Sequence, residues 1–164
     1  MFFINRIVAV LVFAPILLWG SQSFIEHRYI YSIDRHLEMN GTISFEDEKM
    51  EILYSKPQTR RIVYDGSSLD VYGQNGELVQ HTDLESDPMM KLYMHFISQL
   101  YRGNFKALEE NFRLVYEDDG VRLIPIAPAD KVVLGVDVQL SGETISKITT
   151  RMSNGDEIVL DIAQ

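Results

Sequence analysis

The sequence predicts a mainly β domain of the α+β class, in which a strongly curved antiparallel sheet, an open and incomplete barrel, is packed on one face by helices. Three observations carry this. Residues alternate with a period of two along most of the chain after Phe24, polar turn signals recur between the alternating runs, and one central stretch switches to helical spacing.

The amino-terminal end stands apart from that pattern. Arg6 precedes an apolar run from Ile7 to Gly20 that carries no charge. At about 14 residues, interrupted by Pro15, this run is shorter than the roughly 20 residues of a membrane-spanning helix and reads as a secretory signal. Ser21 and Ser23 are small residues of the kind a signal peptidase accepts, so residues 1–23 are expected to be removed after Ser23; the alternative is a retained membrane anchor. Residues 24–164 have the length of a single domain. The chain contains no cysteine, so its core needs no disulfide and offers no thiolate chemistry. Its formal net charge is −9, without a basic stripe. Such a chain repels phosphate, which argues against nucleic acid and leaves only transient contact with an anionic membrane.

Strands come first. Ile25, His27, Tyr29, Tyr31 and Ile33 form one alternating set, and Leu37, Met39, Gly41, Ile43 and Phe45 form the next. Met50, Ile52 and Tyr54 continue it, followed by Ile62 to Tyr64 and by Leu69 and Val71. The connections, Lys56-Pro57 and Asp65-Gly66-Ser67-Ser68, suit a meander of hairpins. From Asp87 to Gly103 the period changes. Asp87 suits an N-cap, Pro88 the first helical position and Gly103 the C-terminal stop, while Met89, Met90, Tyr93, Phe96, Ile97, Leu100 and Tyr101 make an apolar stripe. A short second helix is expected from Asn104, carrying Ala107, Leu108 and Phe112. Strands then resume, with hairpin signals at Asp119-Gly120, Ser141-Gly142 and Asn154-Gly155 joining runs at Val132–Leu140, Thr144–Met152 and Glu157–Ile162. The total is about ten strands around two central helices.

Catalytic patterns are missing. His27, His36, His81 and His95 have no metal-ligand spacing, no serine lies in a nucleophile elbow, and the glycines fall singly in turns. His27, alternating with tyrosines, reads as a core or cavity residue, and His95 as a polar-face residue of the helix. The Glu46-Asp47-Glu48 run reads as a solvated turn. Neither an enzyme, a metal site nor a cofactor is expected. Methionine is the more telling residue: Met39, Met50, Met89, Met90, Met94 and Met152 either fill the core between sheet and helix or line a surface that adapts to apolar ligands.

A resemblance adds to this reading. Gly41-Thr42-Ile43-Ser44-Phe45, then Lys56-Pro57, then the run from Ile62 through Asp65-Gly66 and Leu69 to Tyr72 resembles the strand, proline turn and strand succession of the LolA-like family of periplasmic outer-membrane lipoprotein carriers. Leu100 to Leu108 with Phe112 resembles that family's glycine turn between lid helices, and Leu123-Ile124-Pro125 its later strand. Order and spacing agree from Phe24 to Ile162. A divergent branch of the family opens with a strand similar to Phe24-Ile25-Glu26-His27-Arg28.

The resemblance implies an incomplete barrel under a helical lid, with an apolar cavity that shelters the acyl chains of a lipoprotein or other lipidated cargo. It implies a monomer in the periplasm, serving outer-membrane biogenesis between an inner-membrane donor and an outer-membrane acceptor; inner-membrane anchoring would follow from an uncleaved signal. Ile43, Met50, Ile52, Tyr64, Leu69 and Val71 are the expected cavity residues, and Met89, Met90, Tyr93, Phe96, Ile97 and Leu100 the expected lid face. One departure is visible: where the main carriers place a basic residue and a tryptophan, this chain has Glu46, Asp47 and Glu51, so the arginine that latches the lid has no counterpart there. Sheltering one long chain at about 0.8 kcal/mol per methylene contributes on the order of 10 kcal/mol. The alternative is an envelope interaction or lipoprotein-sensing domain. A carrier is expected to enclose a continuous apolar cavity, and an interaction domain to have a filled core with an exposed apolar patch.

Overall fold

A computed structural model describes residues 20–163. Most of the expected signal segment lies outside these residues, and its expected boundary at Ser23 falls within the first strand. The strands are β1 (Gln22–Ile30), β2 (Arg35–Glu46), β3 (Lys49–Lys56), β4 (Arg60–Tyr64), β5 (Ser68–Tyr72), β6 (Leu78–Asp83), β7 (Phe112–Glu117), β8 (Gly120–Pro125), β9 (Val133–Ser141), β10 (Thr144–Met152) and β11 (Glu157–Ile162). Between β6 and β7 lie α1 (Pro88–Tyr101) and α2 (Phe105–Leu108). No helix among the described residues is long and apolar enough to cross a membrane.

All eleven strands form one antiparallel sheet in the order β6-β5-β4-β3-β2-β1-β11-β10-β9-β8-β7. Two meanders therefore meet where β1 pairs with β11. The sheet curves without closing, and its two edges, β6 and β7, are consecutive in the chain. Only the helical segment connects those edges, so it has to cross the open side of the sheet. That topology puts an amphipathic helix over the concave face.

Local chemistry explains the elements. The Asp87 carboxylate accepts from the Met90 N–H at 3.0 Å, Pro88 takes the first turn, and Gly103 ends the helix at φ +71°. The β4–β5 turn is closed by Asp65, whose carboxylate accepts from the N–H groups of Ser67 (2.9 Å) and Ser68 (2.7 Å). Gly41 on β2 is required by close approach, because a Cβ there would meet the Leu53 carbonyl and the Phe24 ring at 2.7 Å. The Phe24 ring lies over that glycine and meets Tyr54 edge-on at 5.7 Å between centroids.

Two expectations change. There are eleven strands because β6 pairs fully with β5, although its exposed residues carry no apolar alternation to reveal it. On β1 the phase is reversed: Phe24 and Glu26 are buried, while Ile25 and His27 face solvent. His27 is thus no cavity residue; it stands on the outer face, 3.6 Å from Glu38 and 3.4 Å from Asp161. His95 is exposed on α1, as its place on the polar face of the helix implied.

Candidate functional site

The concave face is built from both meanders. The first contributes Phe24, Ile43, Met50, Ile52, Tyr54, Tyr64 and Leu69, and the second Phe112, Leu123, Val136, Val138, Ile148 and Leu160, all buried. Met94, Phe96, Ile97 and Leu100 of α1 are buried against them in one continuous core. Of the residues expected to line a cavity, Ile43, Met50, Ile52, Tyr64 and Leu69 lie in this core, whereas Val71 is half-exposed on β5. Of the expected lid face, Phe96, Ile97 and Leu100 are buried and Tyr93 is half-buried against the core. Met89 is half-exposed and Met90 is 37 % exposed, so these two sit at its solvent margin; Met94 takes the buried methionine position instead.

The helix side chains fill the space beneath them. The small apolar pocket between Tyr93, Phe96, Phe112 and Val133 measures about 10 Å³, room for a single water at most. Among the described residues the space between α1 and the sheet is taken up by buried side chains and not by the continuous apolar cavity expected of a carrier. A larger, open groove of about 480 Å³ runs along the outer flank of α1, between Pro88, Lys91, His95 and Ser98 on one side and Glu48, Gly66 and Glu110 on the other.

How α1 is held is informative. Among the described residues its backbone hydrogen bonds stay within the helical segment, and none runs to a strand. Side chains alone fasten it. Arg102, immediately after α1, donates from Nη2 to the carbonyl oxygens of Asp47 (2.6 Å) and Lys49 (3.4 Å) in the β2–β3 hairpin. Its guanidinium also stacks 4.3 Å above the Phe45 ring. The strand position at which the resemblance implies a latching arginine holds acids, whereas Arg102 lies on the helical segment and the strand hairpin supplies its acceptors.

One part of the concave face is polar, and the reversed phase of β1 concealed it. Glu26 sits with its side chain 3 % exposed. One carboxylate oxygen, Oε1, accepts from Arg28 Nε (2.8 Å) and lies 2.7 Å from Arg28 Nη2; the other, Oε2, accepts from the Tyr54 hydroxyl at 2.6 Å. Burial, then the Glu26 charge, pushes the Tyr54 phenol far above its ordinary value and keeps it a donor. Burial acts against the Arg28 charge, but Glu26 and its neighbours outweigh it and hold the guanidinium above its ordinary value. Tyr93 and Tyr101 on the underside of α1 complete the surroundings, both close enough to feel the Glu26 and Arg28 charges. The sequence signal for this cluster is the i, i+2, i+4 spacing of Phe24, Glu26 and Arg28, which puts an acid and a base side by side on one face of a strand.

Fold and site together define an unclosed antiparallel β sheet whose concave face, mainly apolar with one buried ion pair, is covered by a side-chain-held helix. Among the described residues no group of three or more His, Asp or Glu side chains is placed to hold a metal ion. No established protein family and no curated protein matches this sequence.

Proposed function

We propose that this protein is a carrier or chaperone of the cell envelope that shelters the acyl chains of a lipoprotein or another lipidated molecule between the concave sheet and α1, without covalent chemistry. The observation that carries this reading is the topology of the cover: an amphipathic helix bridges the open side of an unclosed, curved sheet and packs its apolar face on the concave side. The filled interior is then the empty, closed state, with the helix side chains standing where cargo would go.

Magnitudes make the exchange workable. Burying Met94, Phe96, Ile97 and Leu100 at about 1.5–3 kcal/mol each contributes roughly 6–12 kcal/mol to closure. An acyl chain of about 15 methylenes contributes roughly 12 kcal/mol. The two are comparable, so cargo displaces the helix without being trapped, and a closed empty lid prevents the apolar face from meeting water. The Arg102 latch adds the smaller term that sets how often the lid opens.

The test is uptake of a fluorescent acyl probe from vesicles, with native mass spectrometry of the purified protein to detect co-purifying lipid. Arg102→Gln, which loses a charged hydrogen bond and a ring contact together worth about 1–1.4 kcal/mol, is expected to accelerate uptake roughly five- to tenfold. No uptake by the native protein and no bound lipid would refute the carrier reading. The filled interior specifically favours a second one, an interaction domain that pairs through β6, an edge strand on which Leu78 and Val79 are 55 % and 64 % exposed. Uptake failure combined with partner binding lost on Val79→Lys would select it.

A further inference from the structure

The groove along the outer flank of α1 has a chemistry that neither the apolar core nor the ion pair on β1 uses. Its volume of about 480 Å³ is that of a binding site, and it lies open along the helix from Pro88 to Gln99. At 1.5 Å per residue that stretch is about 16 Å long, room for roughly five residues of extended chain. An open groove of this kind does not enclose a small molecule. Charge narrows the choice further. Glu48, in the β2–β3 turn, and Glu110, just before β7, line the groove, are exposed and form no ion pair among the described residues. Glu48 closes the run Glu46-Asp47-Glu48, so the whole turn is acidic. On the helix side Lys91 is already paired with Glu85 at 2.5 Å.

A second feature is independent of charge. Tyr64, the last residue of β4, is 4 % exposed, and its hydroxyl makes no hydrogen bond among the described residues. No fully buried polar side-chain atom among them lacks a partner, so this hydroxyl reaches the surface of the groove that Tyr64 lines. A buried ring that presents one polar atom is a fixed hydrogen-bonding point, already ordered before anything binds. We propose that the groove docks an extended, basic segment of a partner protein, whose lysine or arginine side chains meet Glu48 and Glu110 while the Tyr64 hydroxyl bonds to the same segment. Its place gives docking a consequence. Glu48 lies between Asp47 and Lys49, whose carbonyl oxygens hold Arg102, and Ser98 in the groove wall accepts from Arg102 Nε at 3.4 Å. A cation brought to Glu48 stands beside that latch and weakens it by like charge, so the partner loosens α1. The docking stands whether or not the concave face takes acyl chains; the loosening rests on the reading of α1 as a lid.

The probe is a fluorescein-labelled octapeptide of alternating arginine and serine, titrated into the full-length protein and read by anisotropy. At about 0.15 M salt the screening length is about 8 Å, which suppresses general attraction to an acidic chain. Glu48→Gln/Glu110→Gln is expected to weaken binding about tenfold or more, and Tyr64→Phe, which keeps the ring, about threefold. Glu38→Gln/Glu143→Gln, which removes the same charge from exposed positions elsewhere, is expected to change it by less than about twofold. Amide exchange along α1 is expected to quicken when the peptide is bound. No binding by the native protein, or unchanged binding by Tyr64→Phe, would overturn the docking. Equal weakening by the two charge-changing pairs would overturn it too, leaving only attraction between an acidic chain and a basic peptide. Displacement of the peptide by an equal concentration of spermidine would also overturn it, making the groove a polyamine site. Binding that leaves the exchange of α1 unchanged would overturn the loosening alone.

Discussion

The two flanks of the interface beneath α1 share a helix and a sheet but are built to different rules. On one flank Phe96 stacks against Phe112 at 4.8 Å between centroids, and Leu100, Leu123 and Val136 are fully enclosed with it. The pocket left there is about 10 Å³. On the other flank Glu26, Arg28 and Tyr54 form a hydrogen-bonded cluster in which a buried carboxylate meets a guanidinium that reaches solvent. The dry flank is where closure gains its free energy. The polar flank gains little by closing, because desolvation of the charges offsets their attraction. A helix fastened strongly along one line and weakly along the other is suited to hinge about the first.

The largest effect is expected at the ion pair, and it is asymmetric. Arg28→Leu leaves a carboxylate that is 3 % exposed with only the Tyr54 hydroxyl, and breaking a buried pair in this way costs about 3–5 kcal/mol. Glu26→Leu leaves a guanidinium that already reaches solvent, together with one unsatisfied phenol, for about 1–3 kcal/mol. Urea unfolding of both variants measures the difference. Glu26→Leu/Arg28→Leu is expected to recover stability relative to Arg28→Leu alone, because no uncompensated charge remains. Equal losses from the two single variants would mean that Arg28 cannot turn to water, and the polar flank would be as closed as the dry one.

The dry flank is expected to respond through volume instead of charge. Leu100 is fully buried, and Leu100→Ala removes methylenes from a site already packed on every side, at a cost of about 2–4 kcal/mol. Met90, one flank further round α1 and 37 % exposed, is expected to lose less than about 0.5 kcal/mol on replacement by Ala. The contrast is read in the same unfolding experiment, with amide exchange along α1 reporting whether Leu100→Ala also loosens the lid. A large loss at Met90 would extend the buried stripe to the helix start and remove the solvent margin described above.

These flanks also mark how far the sequence was legible. Strands and turns followed from period-two alternation and from residues such as Asp65, Gly103 and Asn154, because each of those features acts locally. The helix over the sheet followed from the stripe through Phe96, Ile97 and Leu100. β6 stayed hidden because this edge strand, unlike β7 with its buried Phe112, buries neither face, so Leu78 to Asp83 carries no pattern. β1 was assigned the wrong phase for a different reason: Ile25 and Tyr29 are more hydrophobic than Glu26 and Arg28, and alternation cannot say that an acid and a base go inward together. Arg102 was legible only as a residue before a glycine, since its acceptors are backbone carbonyls more than fifty positions away in the chain.

The smallest expected effect is the most discriminating. On the dry flank every deleted atom was making contacts, so every deletion costs. The Tyr101 hydroxyl makes no hydrogen bond among the described residues, and no fully buried polar side-chain atom among them lacks a partner, so this hydroxyl reaches water beside α1. Tyr101→Phe, which keeps the ring against the core, is therefore expected to change stability by less than about 0.5 kcal/mol, against the loss that removing a satisfied buried hydroxyl brings. The measurement is the urea midpoint. Clear destabilisation of the variant would show that the hydroxyl is already satisfied, and the polar flank would then be one more part of the core.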